Sequence, residues 1–255
     1  MITLYDNAFS PFARKVRMVL EYKRLPFEAF DALVPQGRAR LAEVNPRVEV
    51  PVLKDGDLVV VNSADIVAYL EHRYPERPVY PSDPAVRVAA RAWERTADTL
   101  LDSILHDISN GGFGFPGDTP PLGLVEAGRE DLEKLYTDMA RALDGRNFLC
   151  GDLSIADLAV FPHLPAVRVL GVSFDAQKHP RLLAYYRRMR EIDICRADLA
   201  RARTMLEAFM KDRPKVQRLV WRGDRIEWLF AHGFHAWFFE EIRAGRVAWP
   251  RQSDD

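Results

Sequence analysis

The run Tyr74-Pro75-Glu76-Arg77-Pro78-Val79-Tyr80-Pro81 carries three prolines and divides the chain into two kinds of text. Before it, short β-rich runs alternate with helical ones in the order βαβ-α-ββα. Beyond it the pattern is helical almost throughout. A chain patterned in this way is expected to fold as an α+β protein of two domains, because the two periodicities bury their apolar faces differently. The division predicted is residues 1–75, a linker at 76–82, an all-helical domain at 83–212 and an aromatic-rich helical extension at 213–255.

The first half opens with Ile2-Thr3-Leu4-Tyr5, which alternates as a half-buried strand. Phe12, Val16, Val19 and Leu20 then recur at helical spacing. Between them stands Ser10-Pro11-Phe12, with Ser10 as the expected N-cap and Pro11 as the first helical residue. The open amides of such a first turn attract an anion. A serine hydroxyl there can cap its own helix or donate to a bound thiolate, and the local pattern leaves both open. Arg14, one turn on, is expected either to add positive potential or to sit as an exposed helix charge.

Leu25 to Phe30 reads as extended, and Gln36 to Val44 as a short helix ending before Asn45-Pro46. Val48 to Val61 holds two β-rich runs around Asp55-Gly56, which predicts a hairpin with a type I′ turn. Pro51 leads the first of these runs, a place where a missing amide is tolerated. Asn62 or Ser63 caps the next helix, with Ile66, Tyr69 and Leu70 on one face.

Past the linker, Asp83-Pro84 starts a long helix to about Ile108, and a connection runs from Asn110 to Gly123. Its Gly111-Gly112-Phe113-Gly114 lacks the lysine and the context of a phosphate loop. Leu124 to Leu143 is a second long helix. Ser154-Ile155-Ala156-Asp157 is a capping pattern, and Pro162 and Pro165 should bend the helix it opens. His179 to Ile192 and Ala197 to Lys211 are two further helices, the first with an arginine-rich face expected to be solvated. Asp224 to Arg243 reads as one helix whose aromatics must dock, over a cleft, on the helical domain or in a dimer; core packing is the plainest of the three. His232 and His235 have no evident third ligand, and no metal is expected.

Charge narrows the function further. Lys plus Arg number 36 against 37 Asp plus Glu, so no basic footprint for nucleic acid or for an anionic membrane is present. Cys150 and Cys195 lack metal-ligand or CxxC spacing, which fits a reducing compartment, and the cytoplasm is the expected location. No apolar run has the length of a membrane span.

In order, Ser10-Pro11-Phe12, Asn45-Pro46-x-x-x-Val50-Pro51-x-Leu53, Asn62-Ser63 and the Ser154 cap resemble the glutathione transferase superfamily, most nearly a bacterial serine-type member with the S-P-F start of tau-like classes. The resemblance implies a thioredoxin-like N-terminal domain and an all-α C-terminal domain. It implies a cis Val50-Pro51 bond, with the Val50 backbone meeting the cysteinyl part of glutathione. Ser63 and the adjacent helix start would take the γ-glutamyl carboxylate, and Ser10 would stabilise the thiolate. Asn62 replaces the acid that usually meets the γ-glutamyl amine, and Val48 and Glu49 replace a glycine and a residue that is often lysine. Thiol exchange is disfavoured, since serine stands where reductases carry cysteine.

The activity implied is attack of the glutathione thiolate on a small hydrophobic electrophile, with glutathione as co-substrate and Phe12 as a candidate wall of the electrophile site. The assembly the resemblance implies is a homodimer. Two other readings stay open: a non-catalytic binding or regulatory protein on the same fold, and a glutathione-dependent isomerase or dehalogenase.

Overall fold

A computed structural model describes residues 1–113, 120–212, 218–219 and 222–249. Strands β1 (Ile2–Asp6), β2 (Phe27–Asp31), β3 (Val52–Asp55) and β4 (Leu58–Val61) form one sheet in the order β2-β1-β3-β4. β1 runs parallel to β2 and antiparallel to β3, and β3 pairs antiparallel with β4. Helices α1 (Pro11–Lys23), α2 (Pro35–Val44) and α3 (Ser63–Arg73) complete this half. It is a thioredoxin-like domain, and the helical part follows it.

Strand alternation decides which helix packs where. Ile2, Leu4 and Leu53 point to one face and are buried with Val16 and Leu20 of α1 and Ile66 and Leu70 of α3. Tyr5 and Val52 point to the other and form a smaller core with Leu41 of α2. Gly37 lets α2 lie close to β2, since a Cβ there would come within 2.2 Å of the Asp31 carbonyl oxygen. The hairpin is present, but Asp55 pairs with Leu58, so the loop is Gly56-Asp57. Only Gly56 has positive φ, which is the type II′ pattern and corrects the type I′ expectation.

The helical part departs from its pattern in several places. α4 (Pro84–Thr96) runs through a π-helical turn at Ala97–Leu101 into α5 (Asp102–Phe113), so Asn110 to Phe113 are helical rather than a connection. Gly114 lies outside the described residues. α6 (Leu124–Ala142) follows, then α7 (Ile155–Val160) and α8 (Leu164–Val169), split by a 3₁₀ turn at Phe161–His163 that contains Pro162, with Pro165 in the first turn of α8. The Ser154 N–H donates to Asp157 Oδ2 at 3.0 Å and the Leu149 N–H to Oδ1 at 3.0 Å. α9 spans Pro180–Glu191, and α10 spans Asp193–Asp212, starting four residues ahead of the pattern. The extension forms two helices, α11 (Gly223–Ala231) and α12 (His235–Arg243), broken where Gly233 takes φ 81°. Trp228, Leu229 and Phe238 are buried in the main core, and Trp228 Nε1 donates to Asp131 of α6 at 3.0 Å.

The two halves are joined through cations of α1, among them Arg14, which the sequence placed on a solvated or site-facing surface. Arg14 is buried, with Nη2 2.7 Å and Nε 3.0 Å from the Asp198 carboxylate on α10 and Nη1 2.6 Å from the Pro162 carbonyl. Lys15 is buried between Glu94 at 3.1 Å and Asp98 at 2.6 Å. The Tyr80 hydroxyl donates to Glu94 from the other side at 3.2 Å. Within the first domain Arg17 pairs with Asp6, and Lys23 reaches Glu71 at 2.6 Å.

A buried pair is costly to break because the survivor keeps its charge without a partner. Arg14→Ala is expected to lower unfolding free energy by about 3–5 kcal/mol, and the double variant Arg14→Met/Asp198→Leu to recover most of that loss. Urea unfolding of the variants checks both.

Candidate functional site

A cleft of about 1690 Å³ lies between the halves, beyond the ~300–1,000 Å³ of an ordinary small-ligand pocket. Three chain turns of the first domain open onto it, and each sequence-predicted site residue lines one of them. Ser10 and Phe12 come from the start of α1, Val50 and Pro51 from the approach to β3, and Asn62 and Ser63 from the start of α3. Residues far apart in the chain are thus brought to a single wall.

Ser10 holds extended backbone at φ −75°, and its Oγ accepts the Ala13 N–H at 3.3 Å. A hydroxyl has one donor and two acceptor sites. Capping the helix therefore consumes an acceptor site and leaves the O–H to donate into the cleft, so the two roles open at Ser10 are compatible. The loop behind is fixed by Asn7, whose N–H donates to Asp6 at 2.7 Å and whose amide donates to Asp31 at 3.1 Å.

The Val50-Pro51 bond is cis. Because β3 begins at Val52, Val50 stands ahead of the sheet ladder, on the cleft wall. Asn45 shapes this approach, donating to the Glu49 carbonyl at 3.0 Å and accepting the Arg47 N–H at 3.2 Å. Val48 adopts φ 55°, a left-handed conformation that a β-branched residue takes only at a cost, and its side chain is buried against the smaller core. The glycine of the commoner pattern would meet that backbone requirement without strain. Glu49 is not a lone negative charge: Arg47 Nε lies 2.9 Å from its carboxylate.

Asn62 is the cap of α3, with φ 71° and its Oδ1 accepting the Ala64 N–H at 2.9 Å. With ψ 127° this backbone lies outside the left-handed helical well, so it is strained for any residue that carries a side chain. Ser63 is the first helical residue and is buried at the cleft wall.

The helical half contributes residues that sequence reasoning missed. Asp102 and His106 are four apart on α5, and Arg225 of the extension meets both: its Nε donates to Asp102 Oδ2 at 2.8 Å and its Nη1 to His106 Nε2 at 3.1 Å. A guanidinium has only donors, so His106 Nε2 acts as acceptor. Burial pushes the Asp102 carboxyl up, while the Arg225 charge opposes the shift. Arg222 stacks its guanidinium 4.9 Å from the centre of the Phe12 ring. Arg187 and Arg190 of α9, expected to face only solvent, also line the cleft. The i,i+4 spacing of Asp102 and His106 was readable, but nothing local announced that residues over a hundred positions on would meet them.

His163 is buried behind Arg14. Burial first, and then the Arg14 charge, pulls its pKa down to about 3. His232, by contrast, is engaged with Asp131 at 3.1 Å and the Trp228 carbonyl at 2.9 Å.

Models of the glutathione S-transferase N-terminal and C-terminal domains match residues 4–78 and 123–188. The chain belongs to the glutathione S-transferase superfamily. It is 27% identical over 214 residues to glutathione S-transferase U1 of Arabidopsis thaliana, covering 79% of this chain and 90% of the relative. A solved glutathione S-transferase from Rhodospirillum rubrum F11 superposes with a TM-score of 0.69 at 28% identity, over 78% of this chain and 92% of that one. Another from Methylobacillus flagellatus KT, solved with GSH bound, gives 0.68 at 27% identity over 78% and 98%. The superfamily uses glutathione, and this member keeps a serine, a cis-proline turn and a capped helix start on one wall of its cleft.

His163 gives the cleft's frame an acid-sensitive component. Its folded pKa of about 3 lies below the ordinary 6.5, so the unfolded chain binds this proton more readily. The stability due to His163 is complete above about 6.5 and is lost as pH falls toward 3. His163→Gln is therefore expected to flatten that limb of a urea-midpoint versus pH profile relative to wild type.

Proposed function

We propose that the protein is a glutathione transferase in which Ser10 stabilises the glutathione thiolate for attack on an electrophile held by the helical half. The observation that carries this reading is the place of Ser10: it lines the cleft, and its hydroxyl gives one acceptor site to Ala13, which leaves its donor free for a bound thiolate. Val50, ahead of the ladder beside Pro51, would pair its backbone with the cysteinyl unit. Ser63 and the first-turn amides of α3 would take the γ-glutamyl carboxylate, as helix starts favour anions. Asn62 Oδ1 keeps a second acceptor site for the ammonium, without the charge-assisted gain a carboxylate would bring.

A free cysteine thiol titrates near 8.5, and lowering it by about two units requires ~2.7 kcal/mol of preference for the thiolate. One hydrogen bond to a charged group supplies about 1.5–3 kcal/mol, so Ser10 together with the first-turn amides of α1 is sufficient. Phe12, Leu105 and Phe209 offer apolar surface for the electrophile. On this reading residues 1–75 hold glutathione, and the helical part with its extension holds the second substrate. The working form taken with it is a cytoplasmic homodimer, which sedimentation of the purified protein tests.

Ser10→Ala is expected to raise the pKa of the bound thiol and to lower the conjugation rate by about 10–100-fold, whereas Ser10→Thr retains most of the rate. Thiolate absorbance against pH and stopped-flow conjugation measure the two effects. An unchanged thiol pKa in Ser10→Ala removes Ser10 from the chemistry.

A further inference from the structure

We infer that the second substrate is an electrophile bearing a carboxylate, and that Arg222 of the C-terminal extension is the residue that selects it; the inference rests on the transferase reading above. The first observation is a charge asymmetry. The protein as a whole has a net charge of −1, yet the described lining of the cleft carries nine arginines against three carboxylates, Glu49, Asp102 and Glu191. Six of the nine have a carboxylate within 4 Å, and the surplus that remains in this concave site raises the local concentration of anions. It is also poorly matched to a purely apolar co-substrate, for which guanidinium groups would have to be desolvated with no return.

The second observation separates the arginines by what they already hold. Arg14 and Arg225 are buried on Asp198 and Asp102 and serve the frame. Arg47 is held by Glu49, on the side of the cleft assigned to glutathione. Arg196 and Arg203 are held by Asp193 and Glu207. Arg168, Arg187 and Arg190 also line the cleft, and Arg222 is set apart from them by its place against Phe12, beside the Ser10 turn. Its nearest carboxylate, Asp224, is 3.5 Å away and belongs to the same turn of chain, and the Arg222 side chain remains 32% exposed. Its guanidinium also lies over the Phe12 ring, which lines the cleft two residues after Ser10. With Nε and Nη2 at 3.5 Å from Asp224, the Nη1 donors and the outer edge of the stacked guanidinium remain to meet a carboxylate.

The apolar body of such a substrate has its place beside this group. Leu105 of α5 and Phe209 and Met210 of α10 line the same cleft, and Phe209 is fixed edge-on against Phe9 at 5.6 Å. The tail thus does more than pack: α11 is anchored by Trp228 and Leu229 in the core, and Arg222 stands at its N-cap facing Phe12.

A matched pair of substrates tests the assignment: a chlorodinitrobenzoate and the corresponding neutral amide. In both, the glutathione sulfur forms a bond to the chlorine-bearing ring carbon and chloride departs with the bonding electrons, with no net oxidation. After each rate is divided by its uncatalysed rate, wild type is expected to favour the acid in kcat/KM by about tenfold, the scale of one charge-assisted contact. Arg222→Ala should bring that ratio near one, Arg222→Lys should keep part of it, and added salt should erode it. Turnover of both arenes with no preference for the acid, or an equal loss on both in Arg222→Ala, overturns the inference and leaves the transferase reading standing. If neither arene is arylated, the thiol pKa in Ser10→Ala judges the transferase reading, and calorimetry with unreactive dinitrobenzoate and dinitrobenzamide judges the inference. Tighter binding of the acid, lost in Arg222→Ala, supports it, and equal binding overturns it.

Discussion

The burial of cationic side chains along α1 is the constraint on which the rest of the structure depends. Arg14 on Asp198 and the Pro162 carbonyl, and Lys15 between Glu94 and Asp98, tie the helix that starts at Ser10 to α10, to the 3₁₀ turn and to α4 with its π turn. The opposite side of the same helix carries Val16 and Leu20 into the core. Ser10 therefore sits at the end of an element held from both domains. Its position relative to the helical wall is set by directional contacts between charged groups, which fix orientation more sharply than apolar packing does.

That rigidity matters because the chemistry proposed here is positional. A thiolate needs donors that are already in place, since donors that must reorganise return part of what they contribute. The Asn7 Oδ1 that accepts the Phe9 N–H behind the Ser10 turn, the Asn45 bonds that shape the approach to Pro51, and the Asn62 cap of α3 perform the same task at three points of one wall. Each uses a short amide side chain to satisfy nearby backbone groups, so the loops lining the cleft hold their shape without helix or sheet bonds. The opposing wall is assembled from α5, α9, α10 and the extension, and its chemistry is arginine-rich.

Much of the first wall was legible in the sequence, for local reasons. A serine before a proline marks a helix start, an Asn-Ser pair ahead of an apolar repeat marks another, and the cis Val50-Pro51 bond followed from resemblance in the order of motifs. The strand alternation also predicted the sheet, although the hairpin turn fell one residue later than its Asp-Gly pair suggested. What local pattern did not reveal was pairing across long separations. Arg14 read as a site-facing or exposed charge, and Lys15 drew no reading, because their partners stand about eighty to a hundred and eighty residues away. Arg187 and Arg190 read as solvated because nothing on α9 records the cleft beside it. The break between α11 and α12 was signalled by Gly233, but the density of aromatics on both sides of it hid the stop.

The central claim is that the wall formed by Ser10, Val50 and Ser63 is a glutathione site, even though Asn62 stands in place of an acid. Calorimetric titration of the purified protein with reduced glutathione tests it most directly. The account predicts saturable binding, one site per chain, with a dissociation constant in the micromolar to low-millimolar range. Absence of any binding heat with several millimolar glutathione would contradict it, and the cleft would then have to serve a different ligand.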